Sequence, residues 1–135
     1  FQISRLFMKR ESYILAIDQA FHVNPIVAIL GPRECGKTTF ARRYSQIEEG
    51  FTSEKYFDLE DSVDIDRLQN PRIALGKLRE LVVIDEIQKA PDLFQSLRVL
   101  VDEDSSRRYL LLGSASGELL KQSSETLAGR ISYIE

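Results

Sequence analysis

Apolar residues along this chain fall into two alternating rhythms. The runs at 26–30 (Ile-Val-Ala-Ile-Leu), 81–85 (Leu-Val-Val-Ile-Asp) and 108–113 (Arg-Tyr-Leu-Leu-Leu-Gly) are nearly continuous, as strands buried on both faces require. The run at 55–59 carries β-forming aromatics, and a fifth strand is expected at 131–135. Between them the period changes to that of a helix. Ile14, Leu15, Ile17 and Phe21 share one face of an expected helix over 11–21, which Asn24-Pro25 closes. A second helix is expected over 37–49, ending at Gly50. Residues 61–78 read as one or two helices interrupted at Asn70-Pro71. Leu93, Leu97, Leu100 and Val101 mark a helix that starts near Pro91 or Asp92, and 117–129 reads as partly helical. Strands separated by helices imply βαβ crossovers: a three-layer α/β domain with a parallel five-stranded sheet and ligands outside the carboxyl ends of its strands.

One junction in that pattern carries chemistry. The first apolar strand runs into Gly31-Pro32-Arg33-Glu34-Cys35-Gly36-Lys37-Thr38 and then into a helix, with Thr39 next. This fits G-x-x-x-x-G-K-[ST], the phosphate-binding loop of P-loop NTPases. The glycines let backbone N–H groups turn toward an anion, and the helix adds its positive dipole end. Lys37 is placed to reach the β- and γ-phosphates, and the Thr38 hydroxyl to meet Mg²⁺. Arg33, Glu34 and Cys35 fill the free positions of the pattern.

A second junction completes it. The run at 81–85 ends in Asp85, and Glu86 follows. An aspartate at the carboxyl end of a strand beside the loop would hold Mg²⁺ with Thr38, and Glu86 would orient or deprotonate the attacking water. A water-directing acid suits hydrolysis rather than transfer to a bound acceptor. Asn24 and Asn70 are both followed by proline, so no N-K-x-D guanine reader exists. ATP is therefore expected over GTP. The strand at 55–59 intervenes between the loop strand and the Asp85 strand, which implies a sheet order of 5-1-4-3-2.

Composition sharpens this only slightly. The 135 residues fit one domain, and the net charge of -3 argues against a broad nucleic-acid-binding face. A single cysteine and a single histidine exclude a disulfide framework and a His/Cys zinc site. No apolar run is long enough to span a membrane, no leader pattern opens the chain, and a reducing, cytoplasmic setting is the simplest expectation. The chain opens on Phe1, and Met8 would make a plausible native start. The arginines at 42 and 43 read as an exposed helix face. Gln88 and Lys89 read as loop-orienting residues, and Asp58, Glu60 and Asp61 as solvated acids away from the loop.

The segments ILGPRECGKTT, VVIDEIQKAP, LLLGSAS and SSETLAGRI together resemble AAA-type P-loop ATPases of bacteria and archaea. Within these, the chain resembles the uncharacterised group whose ATPase domain precedes a C-terminal domain of unknown function, over a stretch from about Met8 to the end. The resemblance implies two more site residues. Ser114, after the fourth strand, matches the polar sensor that contacts the γ-phosphate or the water. Arg130, before the last strand, matches an arginine finger, which commonly acts on a neighbouring subunit's nucleotide and would imply a homo-oligomer. The resemblance also implies that residues 1–135 are the ATPase core of a longer protein, without the helical lid and without the second domain. The expected activity is Mg²⁺-dependent ATP hydrolysis, slow in an isolated core. The alternative is a switch or scaffold that binds ATP or ADP with negligible turnover. A nucleic-acid motor lacks a basic face to support it.

Overall fold

The computed structural model describes residues 2–31 and 36–134, and for residues 2–11 the backbone alone. The elements are α1 (Gln2–Val23), β1 (Ile26–Leu30), α2 (Lys37–Gln46), β2 (Tyr56–Asp58), α3 (Ser62–Arg67), α4 (Pro71–Gly76), β3 (Leu81–Asp85), α5 (Leu93–Glu103), β4 (Arg108–Gly113), α6 (Gly117–Thr126) and β5 (Ile131–Ile134). Short 3₁₀ turns occupy Ser53–Lys55 and Ile87–Lys89.

All four strand pairings are parallel, and the order is β2-β3-β4-β1-β5. Read from the other edge this is 5-1-4-3-2, the expected order. Alternate side chains of each strand serve two separate cores. Ile26, Ala28 and Leu30 pack with Val82, Ile84, Tyr109 and Leu111 against α5 and α6. Val27 and Ile29 pack with Leu81, Val83, Leu110 and Leu112 against α1 and α2. Because both faces are covered, β1 and β3 are buried at every position. This is why their sequences are continuously apolar rather than alternating.

Several boundaries differ from the sequence expectation. The helix expected to begin at residue 11 extends back to Gln2. The second stops at Gln46 rather than 49; the chain then turns, and Gly50 takes φ +81° inside that turn. The strand expected over 55–59 shortens to Tyr56–Asp58, because Lys55 closes a 3₁₀ turn. Leu59 still donates its N–H to the Asp85 carbonyl (3.1 Å), which carries the chain past the end of β3. Pro71 starts α4 where a proline costs no helix hydrogen bond, so the 61–78 segment forms two short helices.

Candidate functional site

The expected phosphate loop is framed from both sides. Where β1 ends, the Gly31 N–H donates to the Gly113 carbonyl (3.1 Å), tying the loop's start to the end of β4. Pro32, Arg33, Glu34 and Cys35 lie outside the described residues. The loop's far end is Gly36, whose φ of +83° is a left-handed conformation that glycine adopts without strain. From there α2 begins. Lys37 is 4% exposed, and its Nζ donates to the Gly31 carbonyl at 2.5 Å. The lysine thus links the start of α2 to the end of β1. Thr39 is exposed on the first turn of α2.

Asp85 sits at the carboxyl end of β3 and is 5% exposed. Its Oδ2 accepts from the hydroxyls of Thr38 and Tyr56, each at 2.9 Å, and its Oδ1 accepts from the Glu86 N–H at 2.9 Å. Thr38 and Asp85, expected to share a cation, lie in hydrogen-bond contact, and Tyr56 joins them. Burial, and then the negative charge of Asp85, push the Tyr56 phenol above its ordinary pKa, so it remains a proton donor. The Arg42 guanidinium lies over the Tyr56 ring, 4.5 Å from its centre.

Glu86 departs from the strand at φ 60°, ψ 46°. A left-handed turn at a non-glycine residue costs roughly 1–2 kcal/mol and occurs mainly where surrounding structure enforces it. Here the N–H of Glu86 is held by Asp85 and its carbonyl accepts from Lys89 (3.0 Å). Its carboxylate accepts from the Gln88 side-chain amide, whose oxygen accepts from the Ser114 N–H at 3.3 Å. Gly113 makes room for this link: a Cβ there would come within 2.8 Å of the Gln88 oxygen and 2.9 Å of Ile87.

Lys37, Glu86, Gln88 and Ser114 line one cleft of about 270 Å³, together with Glu60 and Lys89. The sequence reading put Glu60 away from the loop. The turn after β2 instead brings it back to the cleft wall. A larger groove, about 460 Å³, lies between α1 and α2, lined by Ile14, Leu15, Tyr44 and Ile47 with Asp18 and Glu48. It presents acids rather than the lysine and helix start that suit an anion, so the chemistry points to the smaller cleft.

Arg130 is not brought to this cleft. Its carbonyl accepts from the Ile26 N–H, which puts it at the amino end of the sheet, about 13 Å of strand from the loop. Its guanidinium forks onto Asp102 (2.7 and 2.9 Å) and donates to the Ala128 carbonyl.

The sequence reading did not single out Tyr56, and it treated Gln88 as a loop-orienting residue. Arg42, read as an exposed helix face, is exposed yet stacked on Tyr56. One signal was available: Thr38 and Arg42 are four apart on one helix and face the same way. What that face meets depended on sheet register.

A divalent cation fits the donor set. Among the described residues no group of three or more His, Cys, Asp or Glu could cage a metal. A hydroxyl and one carboxylate in contact suit Mg²⁺, which is commonly held by one or two carboxylates plus substrate phosphates.

Comparison with known proteins places the chain in a family. A family model described as "AAA domain" matches residues 23–135. An uncharacterised protein of Mycobacterium tuberculosis and another of Mycobacterium bovis are each 42% identical to the chain over 135 residues, which is 99% of this chain and 30% of each relative. The chain thus spans about a third of the length of these curated relatives.

Proposed function

The chain belongs to the AAA domain family, and on that premise we propose that it forms the catalytic core of a Mg²⁺-dependent ATPase. The observation that carries this reading is the contact between the Thr38 hydroxyl and the Asp85 carboxylate at 2.9 Å, with Glu86 next in sequence and Lys37 on the same cleft. Loop amides between Gly31 and Thr39 and the Lys37 ammonium hold the phosphates. Thr38 and Asp85 would hold Mg²⁺, which supplies charge neutralisation for phosphoryl transfer. Glu86 accepts the proton of the attacking water or orients it. Ser114, at the end of β4, contacts the γ-phosphate or that water. Arg130 enters only through a second copy, whose nucleotide it would face. Target recognition belongs to regions of the protein outside these residues.

One feature favours a second reading. Glu86 is engaged by Gln88, and an acid so held is not free to direct water. In that reading ATP occupancy itself is the signal, with negligible turnover. Steady-state hydrolysis by the full-length protein separates the two. Lys37→Ala is expected to lose nucleotide binding. Glu86→Gln is expected to keep binding and lose turnover by about 10²–10⁴-fold. Parent-rate hydrolysis by Glu86→Gln would remove Glu86 from the mechanism, and no hydrolysis by the parent at saturating MgATP would select the switch.

A further inference from the structure

We propose that Tyr56 is a positioning residue for Asp85, and that its hydroxyl sets how tightly the site holds a divalent cation. The proposal rests on the metal-site reading above. Tyr56 opens β2 opposite Val83, two residues before Asp58 meets Asp85. Its ring therefore runs along the sheet face toward the carboxyl end, and its hydroxyl arrives at Asp85 Oδ2.

Donors from three elements then fix one carboxylate: Thr38 from α2, Tyr56 from β2, and the Glu86 N–H just past β3. Two of them share one oxygen, and the third holds the other, so the carboxylate plane cannot rotate without breaking a bond. The arrangement closes on itself. Thr38 and Arg42 lie one turn apart on the same face of α2. The first bonds Asp85, the second covers the ring of Tyr56, and Tyr56 bonds Asp85. A shift of α2 during phosphate binding would thus be felt at Asp85 through two routes.

The donors on Asp85 are hydroxyls and an amide, which orient the carboxylate without cancelling its charge. That is what a cation site needs from its supporting groups. Loss of such a supporting hydrogen bond typically costs 10–100-fold in metal affinity or activity.

Tyr56→Phe removes the hydroxyl and keeps the ring under Arg42. The test is binding of a fluorescent ATP analogue to the full-length protein, titrated with MgCl₂ and repeated in EDTA. The Mg²⁺ concentration for half-maximal binding is expected to rise at least about 10-fold, with binding in EDTA and the melting temperature in EDTA near those of the parent. A parent-like Mg²⁺ midpoint in a folded Tyr56→Phe overturns the proposal and leaves the tyrosine a packing residue. Should that variant melt too low to titrate, the same titration of Tyr56→Phe and parent in a stabilising osmolyte such as TMAO carries the test. A raised midpoint supports the proposal and an unchanged one overturns it. Asp85→Ala is the control for the underlying reading. It should abolish the Mg²⁺ dependence, and if it does not, the metal site is misplaced whatever Tyr56 does.

Discussion

The two ends of the sheet use polar side chains in opposite ways. At the amino end, arginines terminate on acceptors supplied by neighbouring segments. Arg107 is 7% exposed and donates to the carbonyls of Leu75, Gly76 and Leu78, which closes the end of α4. Arg108 forks onto Glu48, and Arg130 onto Asp102. At the carboxyl end, the acceptors are the carboxylates of Asp85 and Glu86, and their donors are hydroxyls and amides. At the amino end cations meet carboxylates and carbonyls; at the carboxyl end neutral donors orient Asp85 and Glu86, and the nearby cation Lys37 bonds the Gly31 carbonyl. That contrast marks where chemistry can happen. A carboxylate paired with arginine is finished, whereas one held by hydroxyls can still take a metal ion or a proton.

Substitutions at either end test this contrast, and the greatest loss of stability is expected at the amino end. Arg107→Met keeps most of the buried stem but removes the donors to three backbone carbonyls. Hydrogen bonds from charged groups are worth about 1.5–3 kcal/mol each, and orphaned acceptors add cost, so a loss of about 3 kcal/mol is expected in urea denaturation. Nucleotide affinity of the folded fraction should not change. A fall in affinity at unchanged stability would show that the two ends are coupled.

Gly113→Ala probes the carboxyl end by packing rather than charge. The new Cβ would press on the Gln88 oxygen and on buried Ile87. Overpacking of this kind costs about 1–3 kcal/mol. Because Gln88 links Glu86 to Ser114, turnover should fall further than stability alone explains. Parent-like kinetics in this variant would mean that the Gln88 link is not needed for the chemistry.

Glu48→Ala tests a cation at the amino end that is only partly shielded. The Arg108 and Glu48 side chains are 28% and 19% exposed, so the pair should contribute about 1 kcal/mol, reduced by salt. Denaturation midpoints of parent and variant should converge as NaCl is raised. A gap that persists at high salt would point to packing of Glu48, not its charge.

The same contrast explains what could be read from the sequence. Both-face burial forces continuous apolar runs, so β1, β3 and β4 were visible within a residue. The candidate phosphate loop, Asp85 and Glu86 could be singled out because they are local in sequence: a strand end followed by a fixed spacing. Tyr56 was not, since its place beside Asp85 comes from the pairing of Tyr56 with Val83 and from the direction α2 takes over the sheet. Glu60 is solvated as expected, but its place was misread for a related reason. Counting strands puts β2 three places from β1, but the turn that follows β2 brings Glu60 to the cleft wall. Arg130 shows the reverse case. A local motif marked it as a site residue, while strand direction sets it at the amino end, where it meets Asp102.

Arg130→Ala is accordingly expected to have the smallest effect. The fork with Asp102 is a surface pair, and such pairs contribute little. The melting temperature should fall only slightly, nucleotide affinity should hold, and turnover at protein concentrations too low for copies to meet should match the parent. The sharper measurement is turnover across a wide range of protein concentration. An arginine finger acting between copies is worth 10³–10⁵-fold in rate, so its loss would appear only where the parent's specific activity rises with concentration. Mixing then decides the matter. Lys37→Ala copies are expected to lose nucleotide binding but retain Arg130, while Arg130→Ala copies retain Lys37, Asp85 and Glu86. If the mixture recovers activity that neither variant has alone, Arg130 serves a neighbour's nucleotide, and the amino end of one copy becomes part of the carboxyl-end site of the next. If specific activity is flat with concentration and unchanged by the mutation, Arg130 belongs with Arg107 and Arg108, as a cation whose partner is its own chain.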